Sequence, residues 1–148
     1  MHSVSFNNID TSKVNSSAFT FYKCEKLKKL DLSSFITSSI TNMYGMFNEC
    51  DSLESLNISS FDTSKVTNMS WMFNDCKSLA LLDLSSFDFS NATDVSDMLF
   101  NCESLVNLKF GNNLKIDLDL QDCPLTHESA LSVINGLAKV EKAKKNNI

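Results

Sequence analysis

Apolar residues recur along the chain in a fixed order. Leu27, Leu53, Leu79 and Leu105 open each cycle. Val4, Leu30, Leu56, Leu82 and Leu108 form the next column, then Phe6, Leu32, Ile58, Leu84 and Phe110, then Ile9, Phe35, Phe61 and Phe87. Cys24, Cys50, Cys76 and Cys102 keep the same period of 26 residues, and the three full units align without a gap. A fixed period of this size points to a stacked repeat architecture. The Leu-x-Leu triplet alternates with period two, which predicts a short strand with both leucines pointing inward. Such a strand cannot bury an apolar face alone. Parallel stacking at about 4.8 Å per neighbour would give one sheet and one continuous core.

The other half of each unit changes period. Val66, Met69, Met72, Phe73, Cys76 and Leu79 step by three or four residues. That spacing predicts a short helical turn over 68–75, with Thr67 and Asn68 as N-caps, and equivalents over 42–49 and 94–101. The methionines Met43, Met46, Met69, Met72 and Met98 fall at core spacing and read as filler. Near the C-terminus, Ile116, Leu118 and Leu120 alternate as a sixth strand, and Pro124 ends it. Thr126 then caps a helix whose apolar face is Ala130, Leu131, Val133, Ile134, Leu137, Ala138 and Val140. This helix is expected to seal the last coil. At the other end, Val4 and Phe6 are expected to form an open edge.

The expected fold is therefore an α/β solenoid of the right-handed, leucine-rich-repeat type. Parallel strands line one face, short helical turns the other, and a C-terminal helix caps the stack. Residues 1–123 form about five coils of 26 residues, and 124–148 form the cap helix and a polar tail.

Composition fits this picture. The chain has 148 residues with only 3 Gly and 1 Pro, where average usage would give about ten and seven. Turns such as Phe61-Asp62-Thr63-Ser64-Lys65 would instead close through Asp, Ser and Thr side chains. All 13 basic residues are Lys, the net charge is −5 and the pI is near 4.9. A nucleic-acid partner is not expected from such a chain. No stretch approaches 18 apolar residues, so membrane insertion is not expected, and Met1 to Ile9 has no signal-peptide run. The chain as it stands would be cytosolic or a piece of a longer exported protein. Five Cys cannot all pair within one chain.

The run Leu82-Asp83-Leu84-Ser85-Ser86-Phe87-Asp88, the run from Ser64 to Phe73 and the run Cys76-Lys77-Ser78-Leu79 resemble the bacterial surface 26-residue repeat. That is the BspA-like leucine-rich-type repeat, also found in bacterial lipoproteins. The likeness spans about residues 4–110, and the segment from Pro124 to Leu137 resembles one that closes such arrays. Departures are Ile36 for the usual Asp, Ala92 in the Val66 slot, and the loss of the Ser-Ser-Phe-Asp turn after Cys102. The resemblance implies a surface-exposed adhesion or binding role. It also implies location on the cell surface, or secretion, within a longer protein.

The candidate chemistry is sparse. The cysteine column is expected to be a ladder of buried free thiols. Cys123 and His127 give two ligands at most, too few for zinc, and lack a third group to orient a nucleophile. No metal, cofactor or catalytic residue is expected. The column Asp31, Asn57 and Asp83 lies between inward leucines and should face outward, with Leu81 beside it as an exposed apolar residue. One carboxylate per coil falls short of the 6–8 oxygens of a calcium site. Trp71 shares its slot with Gly45 and Asp97, and Tyr44 aligns with Ser70 and Ser96, so neither slot is a core slot. Trp71, Tyr44, Leu81, Asp31, Asn57 and Asp83 are thus the candidate ligand-binding residues. The expected function is a non-catalytic binding or adhesion module. Its partner would be a protein or glycan on a host or neighbouring cell. The alternatives are a structural spacer that projects another domain, and an enzyme with an unrecognised site.

Overall fold

The computed structural model describes residues 3–6, 9–111 and 118–135. Five short strands appear in chain order: β1 (Ser3–Ser5), β2 (Lys29–Asp31), β3 (Ser55–Asn57), β4 (Leu81–Leu84) and β5 (Asn107–Phe110). All pair in parallel, and their register follows the sequence repeat: Val4 faces Leu30, Leu30 faces Leu56, and Leu82 faces Leu108. A second column of isolated parallel bridges joins Ser16, Asn42, Asn68 and Asp94.

The structure does not bear out the expected α/β leucine-rich-repeat-type solenoid with helical turns: most of the chain is turn and loop. The strands do not form one sheet: β1, β2 and β3 make a three-stranded sheet, and β4 and β5 a separate two-stranded one. The segments 42–49, 68–75 and 94–101 are turns, and no helix lies within 9–111.

The reason is where the backbone N–H groups go. Met46, Asn48 and Cys50 donate back within their own turn, to the carbonyls of Met43, Gly45 and Phe47. The alternate residues Met43, Gly45, Phe47 and Glu49 donate instead to Asn68, Ser70, Met72 and Asn74 of the next unit. The same alternation recurs from Phe19 to Lys23 and from Met69 to Asp75. An α-helix needs every N–H for its own i−4 carbonyl. A chain that gives every second one to a neighbour cannot form it. Two positions per unit take left-handed φ to make this possible, Gly45 and Glu49 at 56° and 59° and Trp71 and Asp75 both at 58°.

The core runs through the stack. Phe21, Phe47 and Phe73 lie ring on ring, with centroids 5.5 and 5.4 Å apart and nearly parallel planes. Met43, Met69, Leu53, Leu79 and Leu84 are fully buried beside them. Leu30, Leu82 and Leu108 point inward, but Leu56 of β3 is only half-buried.

A buried threonine column stitches the turns. Thr37 Oγ1 donates to the Asp62 carbonyl at 3.0 Å and accepts the Asp62 N–H at 2.8 Å. Thr11 does the same to Ile36, and Thr63 to Asp88. Phe89 takes the next place in that column and packs against Phe110 at 5.2 Å.

The C-terminal helix, α1, covers 127–135 within the described residues. Thr126 Oγ1 accepts the Ser129 N–H at 3.2 Å, which caps its first turn. Ser129 Oγ, buried, accepts the Leu108 N–H at 3.1 Å and donates to the Val106 carbonyl, tying α1 to β5. Only Val133 of the expected apolar face is fully buried, while Leu131 and Ile134 are exposed. Leu118 and Leu120 pack against the core without forming a strand. Ile116, the residues Leu137, Ala138 and Val140 of the expected helix face, and the expected polar tail lie outside the described residues.

Candidate recognition surface

The strand side of the unit presents Asp31, Asn57 and Asp83, and each side chain works locally. Asp31 Oδ1 accepts the Ser33 N–H at 2.9 Å, Asn57 Oδ1 accepts the N–H and hydroxyl of Ser59, and Asp83 Oδ1 accepts the Ser85 N–H at 3.0 Å. These are turn closures at the ends of β2, β3 and β4. Hydrogen bonds from the serines hold the Asp31 and Asp83 carboxyls below the usual carboxylate range. Lys109 Nζ also lies 3.3 Å from Asp83 Oδ2. Leu81 stands on this side at 52% exposure, a single apolar residue among polar ones.

The turn side is different. Trp71 is 40% exposed, whereas Tyr44 is half-buried and Ser70, in the same slot as Tyr44, is buried, so that slot is not the open one its residues implied. The structure adds two residues that sequence reasoning missed, Phe19 at 43% and Tyr22 at 39% exposure. The four rings are contiguous. Centroids lie 5.1 Å apart from Tyr22 to Phe19, 4.7 Å from Phe19 to Tyr44, and 6.1 Å from Tyr44 to Trp71. Phe19, Gly45, Trp71 and Asp97 share one column, so Phe19 was legible in the same slot comparison that exposed Trp71. The aromatic row and the strand-side residues occupy different columns of the unit, and the structure does not merge them into one site.

The row sits on strained backbone. Phe19 and Trp71 have φ of 57° and 58°, in the left-handed region. Gly45, at 56°, takes that conformation without penalty. For bulky L-residues it costs on the order of 1–2 kcal/mol each. A Cβ added at Gly45 would come within 2.7 Å of Phe19 Cε1, so glycine there is what lets the Phe19 ring lie across the turn.

The cysteines form a longer ladder than their spacing shows. The thiols of Cys50, Cys76 and Cys102 donate to the carbonyls of Phe21, Phe47 and Phe73. Cys123 donates to Leu99, the next carbonyl in that row, so it is a further rung although only 21 residues follow Cys102 (123 − 102 = 21). All five are free thiols. Burial pushes the Cys50 thiol up to about 12 and raises Cys76 well above its ordinary value. The neighbouring Cys123 and burial raise Cys102, which keeps it an inert thiol. His127 is exposed at the start of α1. Among the described residues, no group of three or more His, Cys, Asp or Glu side chains is placed to hold a metal ion. No helix among them is long and apolar enough to cross a membrane.

At the N-terminal end of the stack, Val4, Phe6, Phe21, Cys24 and Leu27 line a cavity of about 570 Å³. Val4, on β1, is 43% exposed.

These features define a chain of stacked 26-residue units, joined by parallel backbone bonds, with an aromatic row on the turn side. Over residues 2–112 it matches the family described as Mycoplasma protein of unknown function, DUF285, and the chain belongs to that family. Comparison with curated proteins and with solved structures gives no match.

Proposed function

We propose that this protein is a non-catalytic recognition module that binds a partner macromolecule through Phe19, Tyr22, Tyr44 and Trp71. The observation that carries this is a contiguous aromatic row, exposed at Phe19, Tyr22 and Trp71, in which Phe19 and Trp71 hold left-handed φ. A fold gains nothing from holding a half-exposed Trp at left-handed φ where Gly or Asp serves equally well. Strain of that kind persists at functional positions, and Trp and Tyr dominate the energetics of interfaces. The resemblance to bacterial surface repeats supports a cell-surface or secreted setting and an adhesive role.

Surface plasmon resonance against immobilised extracellular-matrix proteins and glycans tests this directly. The wild type should bind at least one of them. A Phe19→Asn/Tyr44→Ser/Trp71→Asn variant should bind it at least about tenfold more weakly, since hot-spot residues contribute about 2 kcal/mol or more each. Equal binding by both proteins, or none by either, would leave the structural spacer as the better account.

A further inference from the structure

We propose that the row Phe19, Tyr44 and Trp71, closed at one end by Asp97, docks a basic segment of a protein partner in which Lys side chains alternate with apolar ones. This rests on the recognition role above and names the chemistry of its partner. Three observations point to a cation. The faces of exposed aromatic rings are electron-rich and attract ammonium groups. One end of the row already does so, with Lys23 Nζ 5.2 Å from the centroid of the Tyr22 ring.

The other end carries a carboxylate without a cation. The Trp71 N–H donates to the Ser96 carbonyl at 3.0 Å, so Asp97 is the next residue of the neighbouring unit, in the same column as Trp71. Asp97 is half-buried. Several other acids have a lysine partner, Glu49 with Lys23, Asp51 and Asp75 with Lys77, and Asp83 with Lys109, while Asp94, without a lysine, accepts from Ser96. Among the described residues, Asp97 has no cation within ion-pair distance. The chain as a whole carries −5 and no Arg, so its field draws a basic partner.

The ring geometry separates a peptide from a glycan. Phe19 and Tyr44 meet at 73°, and Tyr44 and Trp71 at 48°. Rings so tilted offer no flat platform for a run of sugar rings. Faces and edges turned at such angles suit the ammonium groups and apolar side chains of a peptide.

Trp71 is the only tryptophan, so its emission reports on this surface alone. The test titrates the whole protein with a peptide of alternating Lys and Leu, the same peptide with Glu for Lys, and a soluble chitin oligosaccharide. The basic peptide should change Trp71 emission saturably, and the other two should not. Asp97→Asn, which suits the left-handed backbone there, should weaken the basic peptide about fivefold and flatten its salt dependence. If the acidic peptide or the oligosaccharide moves Trp71 emission equally, the row still binds but its cationic class is wrong. If the basic peptide binds Asp97→Asn as tightly as wild type, or leaves Trp71 emission unchanged, the proposal fails. The matrix-protein and glycan comparison above then decides the recognition role separately.

Discussion

The strand side and the turn side of each unit are built by one repeat, yet they differ in what they leave unused. On the strand side, Asp31, Asn57 and Asp83 form a polar column that looks like a binding face, but each side chain closes its own turn. On the turn side, Phe19, Tyr44 and Trp71 form a row of ring contacts, and Phe19 and Trp71 sit on backbone that glycine would hold more cheaply. Polar groups in a column are therefore weak evidence of a site until their hydrogen bonds are counted. Exposed aromatic area in a slot that tolerates Gly is stronger evidence, because it does nothing for the fold.

The largest expected effect breaks the shared core. Phe73 is fully buried and stacked on Phe47, so Phe73→Ala should lower stability by about 3–5 kcal/mol in urea unfolding. Leu82→Ala should cost about 2–5 kcal/mol, and Leu56→Ala distinctly less, because Leu56 is only half-buried. Equal costs for these two would mean that β3 is as deeply packed as β4.

The next effect tests the threonine column. Thr63→Val keeps the shape but leaves the Asp88 N–H without its 2.8 Å acceptor. A loss of about 1–3 kcal/mol is expected, measured in the same way. A neutral result would show that the column does not couple the units.

The strand-side turn closures have a pH signature. The Asp31 and Asp83 carboxyls titrate below their ordinary value in the folded chain, because serine hydrogen bonds favour the charged form. Their contribution is therefore present above the unfolded value of about 3.9 and is lost as pH falls through the lower folded value. Thermal melts should decline below about pH 4, and Asp83→Asn, which mimics Asn57, should reduce that decline. Melting temperature independent of pH in this range would contradict the closure role.

The smallest stability effect belongs to the turn side. Trp71→Asn exchanges a strained Trp for a residue that tolerates left-handed φ, so stability should change by less than about 1 kcal/mol. Such a variant would separate folding from binding.

Much of this was legible in the residues. The period, the strand register and the exposure of Trp71 follow from comparing slots, while the half-burial of Tyr44 does not. The turns were misread as helical because side chains at Met69, Met72, Phe73 and Cys76 step by three or four, while the backbone bonds alternate by two. Side-chain pattern does not record where an N–H goes. Cys123 hid its place in the thiol ladder because the last unit is shorter than the others. The break between β3 and β4, and the half-exposure of Leu56, have no clear signature in the strand triplets, which keep two apolar residues around one polar residue in every unit.

The central claim is that the turn side recognises and the strand side supports. The most direct measurement sets two triple variants side by side, one Phe19→Asn/Tyr44→Ser/Trp71→Asn and the other Asp31→Ser/Asn57→Ser/Asp83→Ser. Both are assayed for binding to whichever matrix protein or glycan the wild type captures, and for melting temperature. The first should lose binding and keep its melting temperature within a few degrees. The second should keep binding and melt lower. Loss of binding confined to the strand-side variant would contradict the account.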